Sequence, residues 1–230
     1  MSTPLTALRD DQLEVDKILD PVPFGTALRR RIDGRYPIDP FGYDPQLVDL
    51  VNPVFSSLLR VEITGSENLP KSGPAVLIAN RGFGVAEPAV LGISVRRTVR
   101  RRLRITGAPT VPALGGIARR LGAISASAAD LRACLGDGHL VAVPLAPTWL
   151  RSGAGVPPRS LMLAMTHVPI VPVAVTPGGP FGLAVRPWRV RFGSLVTLAD
   201  PYDPDDPLAA ARFAEAVRDA VSELLDQSRP

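Results

Sequence analysis

The sequence has few of the residues that carry chemistry or cross-link small proteins. Its 230 residues include one cysteine and two histidines, and aromatic residues make up 5% of the chain. The single cysteine, Cys134, cannot form a disulfide within the chain, which is expected of a protein in a reducing compartment. Because Cys134 stands at helical spacing from Leu131 and Leu135, we interpret it as a core residue and not as a nucleophile.

Long apolar stretches are also missing. No run reaches the ~20 apolar residues that span a bilayer, and the longest candidate, LMLAMTHVPIVPVAV, is interrupted by His167, Pro169 and Pro172. The N-terminal segment carries acidic side chains where a signal peptide needs a continuous apolar stretch. The sequence therefore predicts a cytoplasmic protein, with peripheral attachment at the inner face of the membrane as an addition to be tested.

Several signatures of enzymes and metalloproteins do not occur. There is no cluster of Cys and His that would bind a metal, no G-x-S-x-G nucleophile elbow and no phosphate-cradling Walker loop. We therefore predict no metal and no cofactor.

The residues that are present predict an α/β domain. Hydrophobic residues make up 46% of the chain, and short apolar runs such as AVLIA, LVAVPL and IVPVAV alternate with helical segments. Runs this apolar are typical of parallel strands covered on both faces. We predict a mixed, mainly parallel central sheet flanked by helices, in a domain spanning residues 45–230, preceded by a polar lead or strap over residues 1–44.

Two helices are predicted from their apolar spacing. The first, in PQLVDLVNPVFSSLLR, has its stripe at Leu47, Val51, Val54, Phe55, Leu58 and Leu59, with Pro53 expected to kink it. This helix either packs on the domain or lies on a membrane. The second closes the chain, with Asp206 as its cap, Pro207 at its first position, and a stripe of Phe213, Val217, Val221 and Leu224.

Positive charge is concentrated in one segment. The net charge is +4, and VRRTVRRRLR holds six arginines, without which the rest of the chain would sum to −2: Arg96, Arg97, Arg100, Arg101, Arg102 and Arg104. The run is either a solvated helix face or a patch for anionic lipid or phosphate, because the guanidinium fork matches phosphate oxygens. Nucleic acid is the weakest option, since no aromatic residues interleave as a base-stacking platform requires.

Four segments in series carry a family resemblance. They are VEITGSENLPKSGPAVLIAN, VPALGGIARRLGAI, CLGDGHLVAVP and VPIVPVAV, between about Val61 and Val175. In order and spacing they resemble the motifs of the glycerolipid, or lysophospholipid, acyltransferases, over about half the sequence. The resemblance implies that family's fold, a role in phospholipid metabolism and, if the chain is active, an acyl donor of the acyl-coenzyme A or acyl carrier protein type.

The first catalytic motif of that family, H-x-x-x-x-D, is altered here. Asn80 is retained, but Arg81 stands at the histidine position and Ala86 at the aspartate position, unless one inserted residue brings Glu87 there. Histidine serves this family as the base that takes the acceptor's hydroxyl proton, whereas a guanidinium stays protonated at any pH a cell offers. Arg81 can therefore bind an anion or pair with Glu87, but it cannot act as the base.

The second and third motifs are altered as well. Ala128 lies near the position of the arginine that meets the acceptor phosphate, and Leu145 replaces the glutamate of the F-P-E-G-T-R-S motif, with Arg151 and Ser152 following after extra residues. His139 and His167 lie outside the motif positions, and we interpret both as structural or surface residues. The candidate substrate-binding residues are Asn80, Arg81, Glu87, Arg151 and Ser152.

Three functions remain open from the sequence. The first is an acyltransferase-fold protein without the usual catalysis, which binds lipid, acyl chains or a partner enzyme. The second is an active acyltransferase with an unusual site in which Glu87 is the base, which requires burial to raise its pKa. The third is an unrelated α/β binding protein, which the absence of an apolar groove beside Asn80 would favour.

Overall fold

The structure of the chain is a computed structural model. The structure describes residues 24–34, 38–80, 86–107, 112–145, 168–177, 187–196 and 206–227. The helices in these ranges are α1 (Phe24–Ile32), α2 (Pro45–Leu58), α3 (Ala86–Val99), α4 (Pro112–Arg120), α5 (Ala128–Gly136) and α6 (Pro207–Asp226). The strands are β1 (Val61–Thr64), β2 (Ala75–Ala79), β3 (Leu103–Thr106), β4 (Ala123–Ile124), β5 (Leu140–Pro144), β6 (Ile170–Thr176) and β7 (Trp188–Phe192).

The strands form one mixed sheet in the order β1-β7-β6-β2-β5-β3-β4. Every neighbouring pair is parallel except β6 and β7, which are antiparallel. Five strands therefore run in one direction and end at a common edge, here called the carboxyl edge, while β1 and β7 run the opposite way. The predicted α/β class and the mainly parallel sheet with AVLIA, LVAVP and IVPVAVT near its centre are confirmed.

Helices cover both faces of this sheet. Along β2, Ala75, Leu77 and Ala79 belong to a core cluster that also contains apolar residues of α3. The intervening Val76 and Ile78 belong to a second cluster with residues of α5 and α6. All five residues of β2 are buried, which explains why its sequence shows no polar alternation.

The helix starts follow side-chain capping. Asp44 caps α2 by accepting from Leu47 N at 2.8 Å, and Asp206 caps α6 by accepting from Leu208 N at 2.8 Å. Pro53 lies inside α2, as predicted. The sequence predicts a left-handed cap after α5 at Gly136 or Gly138, and Gly138 takes this conformation, with a φ of 82°. The stripe predicted for α6 is buried, which confirms its packing on the domain.

Residues just before position 45 are part of the folded body. Tyr43 is 4% exposed and Asp44 is fully buried, and the Asp44 N–H donates to the Arg120 carbonyl at 3.0 Å. The predicted division at residues 1–44 and 45–230 stays a prediction.

Two sequence predictions fall partly or wholly outside the described residues. RSLMLAMTH, which the sequence predicts to be helical, lies outside them, and so does the first part of FGLAVRPWRVRFGSLVTL, which the sequence predicts to hold paired strands. In the described part of that region, β7 pairs with β1 and β6, and Val196 forms a bridge with Ile170. Across the described ranges, none of the helices combines the length and apolarity needed to cross a membrane.

Candidate functional site

Asn80, the retained residue of the first motif, lies at the carboxyl edge directly after β2. Its Nδ2 atom donates to the Val175 carbonyl at 3.2 Å, and its Oδ1 atom accepts from the Val175 N–H at 2.7 Å. Its backbone N–H also donates to the Val173 carbonyl at 3.2 Å. The side-chain amide thus copies a backbone pairing and extends the β2–β6 ladder, which accounts for an asparagine here without any catalytic role.

Glu87 is the buried carboxylate of this edge. It lies in the first turn of α3, the helix that follows Asn80, and is 8% exposed. A carboxylate in the first turn of a helix is favoured by the helix dipole. Glu87 therefore stands at the end of the sheet where the family resemblance places the chemistry.

Leu145 lies at the same edge, directly after β5, the strand beside β2. Its N–H donates to the Ala79 carbonyl at 2.9 Å, which places it next to the end of β2. Its side chain is 37% exposed. An aliphatic side chain offers no hydrogen bond to an acceptor, so the third motif contributes shape but no polar group at this position.

The second motif is used for helix capping. Ala128 begins α5, and Ser127 caps it by accepting from the Asp130 N–H at 3.0 Å. Ser125 contacts the Asp130 carboxylate through its hydroxyl. The segment thus supplies a carboxylate near the position where the resemblance leads us to expect an arginine, and a carboxylate repels a phosphate.

Both histidines lie away from this chemistry or outside the described ranges. His139 is 3% exposed and directly precedes β5, whose first residue pairs with Ala75 at the start of β2. It is therefore one strand length, roughly 16 Å, from the carboxyl edge. His139 is a buried residue of the opposite edge. His167 lies outside the described residues, as do Arg81, Arg151 and Ser152.

The arginine run does not form one surface patch. Arg101 is 4% exposed and donates to the carbonyls of Gly73 and Gly138, each at 2.7 Å. Arg104 is 3% exposed, and Arg96 is paired with Asp49 at 2.6 Å. The prediction of one six-residue surface patch is therefore wrong, because Arg96, Arg101 and Arg104 have partners within the fold.

Only Arg97 and Arg100 of the run are exposed, at the end of α3 and just after it, and Arg102 is half-buried. Arg100 has a φ of 54°, the left-handed conformation in which helices commonly end. These exposed arginines remain available to an anion.

Tyr43 is packed among the buried arginines. The Arg104 guanidinium lies 4.0 Å from the centre of the Tyr43 ring and pairs with Asp39, and the Arg102 guanidinium lies 6.0 Å from the same ring. Burial raises the pKa of the Tyr43 phenol to about 12, against the opposing effect of Arg102 and Arg104. The phenol is therefore neutral at physiological pH and offers an apolar ring to its surroundings.

An apolar cavity of about 150 Å³ lies between α2, α3 and β3. We call it the α2–α3 cavity. The side chains of Val48, Val51 and Phe55 line it from α2, and Leu103 and Ile105 line it from β3. From α3 it is lined by Pro88, Ala89, Gly92, Ile93 and Arg96, and the remaining lining residues include Tyr43, Arg101 and Arg102. The cavity therefore begins one residue after Glu87 and runs along α3 toward three arginines.

Tyr43 and Gly92 line the α2–α3 cavity, and neither was predicted from the sequence to be a site residue. Gly92 stands in the middle of α3, where glycine costs about 1 kcal/mol relative to alanine. A Cβ placed there would meet nothing within 4 Å. A glycine in the interior of a predicted helix, with no turn to explain it, was the signal that could have indicated an opening there.

No metal site is evident in the parts of the chain that the structure describes, where Cys, His, Asp and Glu side chains form no group of three or more suited to a metal.

Sequence comparisons find relatives in mycobacteria. Uncharacterized proteins of Mycobacterium tuberculosis and Mycobacterium bovis are each 28% identical, over 86% of this chain and 71% of their own length. An uncharacterized protein of Mycobacterium leprae is also 28% identical, over 86% of this chain and 69% of its own. No family model matches the chain.

A structural comparison identifies the fold. The 1-acyl-sn-glycerophosphate acyltransferase PlsC from Thermotoga maritima superposes with a TM-score of 0.50 over 87% of this chain and 88% of its own, at 19% sequence identity. The chain therefore has an acyltransferase-like α/β fold.

Proposed function

We propose that this chain binds the acyl chain of an anionic lipid in the α2–α3 cavity and does not carry out the histidine-based acyl transfer that the motif resemblance implies. The observation that supports the proposal most directly is the apolar cavity, which is lined by three arginines and begins beside the carboxyl edge.

The chemistry of the cavity wall matches a ligand with two unlike ends. Val51, Phe55 and Ile93 provide an aliphatic and aromatic surface, and burial of methylene groups there contributes about 0.8 kcal/mol each. Arg102 provides positive charge on the same cavity, whereas the charge of Arg96 is paired with Asp49. A carboxylate or phosphate head group pairs favourably with guanidinium donors. We therefore favour a fatty acid or a lysolipid over an uncharged ligand.

A long acyl chain needs more room than this partly open cavity provides. Its volume of about 150 Å³ holds a molecule the size of benzene. The roof is α2, none of whose residues is buried, and it is joined to α3 by the Asp49–Arg96 ion pair. A helix with so little buried surface can shift at small cost, and its outward movement would admit a longer chain.

The carboxyl edge explains why catalysis is not part of the proposal. Arg81 occupies the position of the family's base, Leu145 the position of its glutamate, and Ala128 stands near that of its phosphate-binding arginine. Each change removes a group that would take a proton or hold the acceptor. The substitutions leave the packing residues of the same segments in place, which is consistent with a retained fold and a lost reaction.

An active enzyme with Glu87 as its base is the second candidate. The position of Glu87 favours it, because this carboxylate is 8% exposed and lies in the first turn of α3 at the carboxyl edge. This candidate predicts acyl transfer that depends on Glu87, whereas the first predicts lipid binding that does not.

The proposed binding site is tested by a substitution at Gly92 that places a larger side chain in the cavity. We expect Gly92→Leu to reduce binding of the fluorescent fatty acid cis-parinaric acid at least ten-fold and to remove co-purifying lipid detected by mass spectrometry. We expect its free energy of unfolding to stay the same or rise by up to about 1 kcal/mol, since leucine favours the helix more than glycine does.

Gly136→Leu is the matched control, because Gly136 also lies in a helix and a Cβ there would meet nothing within 4 Å, away from the cavity. The control should bind as the wild type does. Unchanged binding in Gly92→Leu, or equal loss in both variants, would contradict the proposed site.

A further inference from the structure

We propose that the face formed by α1, α2 and α4 docks the protein on an anionic lipid bilayer. This surface replaces the arginine run of residues 96–104, most of which has internal partners. The inference concerns the outside of the molecule and does not depend on which ligand fills the α2–α3 cavity.

The apolar part of this face is an exposed stripe on α4, with further exposed aliphatic residues on α2, and Leu121 at the end of the stripe also lines the α2–α3 cavity. On α4 and just after it, Leu114, Ile117 and Leu121 recur at helical spacing and are 52%, 57% and 37% exposed. On α2, Val54 and Leu58 are 59% and 63% exposed. Aliphatic side chains at i, i+3 and i+7 that face water on a helix are typical of helices that lie in the membrane interface.

The charges around this stripe are mainly positive. The charged residues of α1 are Arg29, Arg30 and Arg31, and those of α4 are Arg119 and Arg120. The single charged residue of α2, Asp49, is already paired with Arg96. The long aliphatic stems of arginine lie along apolar surface while the guanidinium reaches the head groups. One exposed acid, Asp33, follows α1, so the arginines outnumber the exposed acids on this face.

The three helices meet at the start of α2. Arg31 at the end of α1 pairs at 2.5 Å with Asp44, the cap of α2. The Asp44 N–H donates to the carbonyl of Arg120 at the end of α4, at 3.0 Å. A Cβ at Gly42, two residues before that cap, would lie 3.5 Å from the Arg119 Cβ. The arginines of α1 and α4 are thus brought together at the start of α2.

The combination of aliphatic residues and arginine favours a bilayer over other partners. A nucleic acid would be met by basic residues interleaved with aromatic ones, and Leu114, Ile117 and Leu121 are not aromatic. An anionic bilayer satisfies both features at once, because acyl chains accept the aliphatic stripe and phosphate groups accept the guanidinium donors.

The experiment compares vesicles of phosphatidylcholine with vesicles that also contain phosphatidylglycerol, by co-sedimentation with the full chain at 0.1 and 0.5 M salt. We expect binding to the anionic vesicles that weakens with salt. Leu114→Ser combined with Ile117→Ser should lower the affinity at least ten-fold. Arg119→Gln combined with Arg120→Gln should lower it about 30-fold on anionic vesicles at low salt and leave neutral vesicles unaffected.

The matched controls lie on α6, away from this face. Leu208→Ser removes an aliphatic side chain that is 63% exposed, and Arg212→Gln with Arg218→Gln removes two exposed arginines. These controls should bind as the wild type does. Absence of wild-type binding, equal binding to neutral vesicles, or equal losses in the controls would overturn the proposal. So would sedimentation velocity that shows a dimer split by the Leu114 and Ile117 substitutions, since a second copy of the chain would then cover the face.

Discussion

Tyr43 is buried against the guanidinium of Arg104, and the ionisation of its phenol tests this packing. Burial raises the pKa of the phenol from 10.0 to about 12. As the pH rises past 10, the unfolded state loses this proton before the folded state does. The unfolded state is then favoured, and stability falls by up to about 1.4 kcal/mol per pH unit until about pH 12. Below pH 10 the group contributes no pH dependence.

We therefore expect the melting temperature of the wild type to fall more steeply than that of Tyr43→Phe between pH 10 and pH 11.5. The variant keeps the ring beneath Arg104 and removes only the ionisable hydroxyl. Burial also raises the pKa of the Cys134 thiol to about 12, and both proteins share this effect, which begins near pH 9. Parallel melting curves across this range would mean that the phenol is accessible to water in the folded state.

Other residues show the limits of sequence reasoning at this scale. The core position of Cys134 was predicted and is confirmed, because one residue at helical spacing from two leucines has few alternatives. The burial of Arg101 and Arg104 was not predicted. A charged side chain is buried only where the fold brings partners to it, and the carbonyls of Gly73 and Gly138 are distant from Arg101 in the sequence.

At the scale of elements, the stability of α2 depends on Asp44, the residue that caps it, because none of the residues of α2 is buried. Asp44 is fully buried, caps the helix through the Leu47 N–H and pairs with Arg31 at 2.5 Å. We expect Asp44→Ala to lower the free energy of unfolding by about 2 kcal/mol or more, because a lost cap costs about 1 kcal/mol and a hydrogen bond to a charged group adds to it.

Asp206→Ala is the matched control for this prediction. Asp206 caps α6 through the Leu208 N–H at the same distance, 2.8 Å, but it is not fully buried. Its loss should cost about 1 kcal/mol, measured like the first from denaturant midpoints at unchanged slope. Equal losses in the two variants would show that the Arg31 pair contributes nothing.

The elements themselves could largely be predicted from the sequence. The apolar runs of β2, β5 and β6 and the capped stripe of α6 have strong local signals, and the structure has them where we expected them. The stripe of α2 was recognised but its surroundings were not: Val51 and Phe55 line the cavity, whereas Val54 and Leu58 face outward. Periodicity identifies an apolar face but does not say whether a cavity, the core or water lies against it.

The order of the strands in the sheet could not be predicted from local sequence patterns. β1 and β7 run opposite to the other strands and pair with each other in parallel, although more than 100 residues separate them in the chain. Such a pairing depends on the whole set of connections and not on the composition of either strand. For the same reason the meeting of α1, α2 and α4 at Asp44, on which the docking surface depends, emerged only from the folded structure.

At the scale of the whole molecule, the chain has an acyltransferase-like fold, and the groups that the motif resemblance leads us to expect are absent at Arg81, Leu145 and Ala128. A fold can persist without its reaction because packing residues and reacting residues are different sets. Asn80 illustrates this, since its amide completes the β2–β6 ladder whether or not a base follows it. Glu87 is a buried carboxylate that lies at this edge.

We expect the purified chain to show no acyl transfer from acyl-coenzyme A to a lysophospholipid, with an active acyltransferase of the same fold assayed in parallel. A missing general base alone lowers the rate by about 10²–10⁴-fold. Arg81→His should not restore activity, because Leu145 and Ala128 still leave the acceptor without its anchors, and positioning supplies a large part of the rate enhancement. Turnover by the wild type that Glu87→Gln abolishes would instead identify Glu87 as the base, and turnover that survives Glu87→Gln would place the chemistry at another residue.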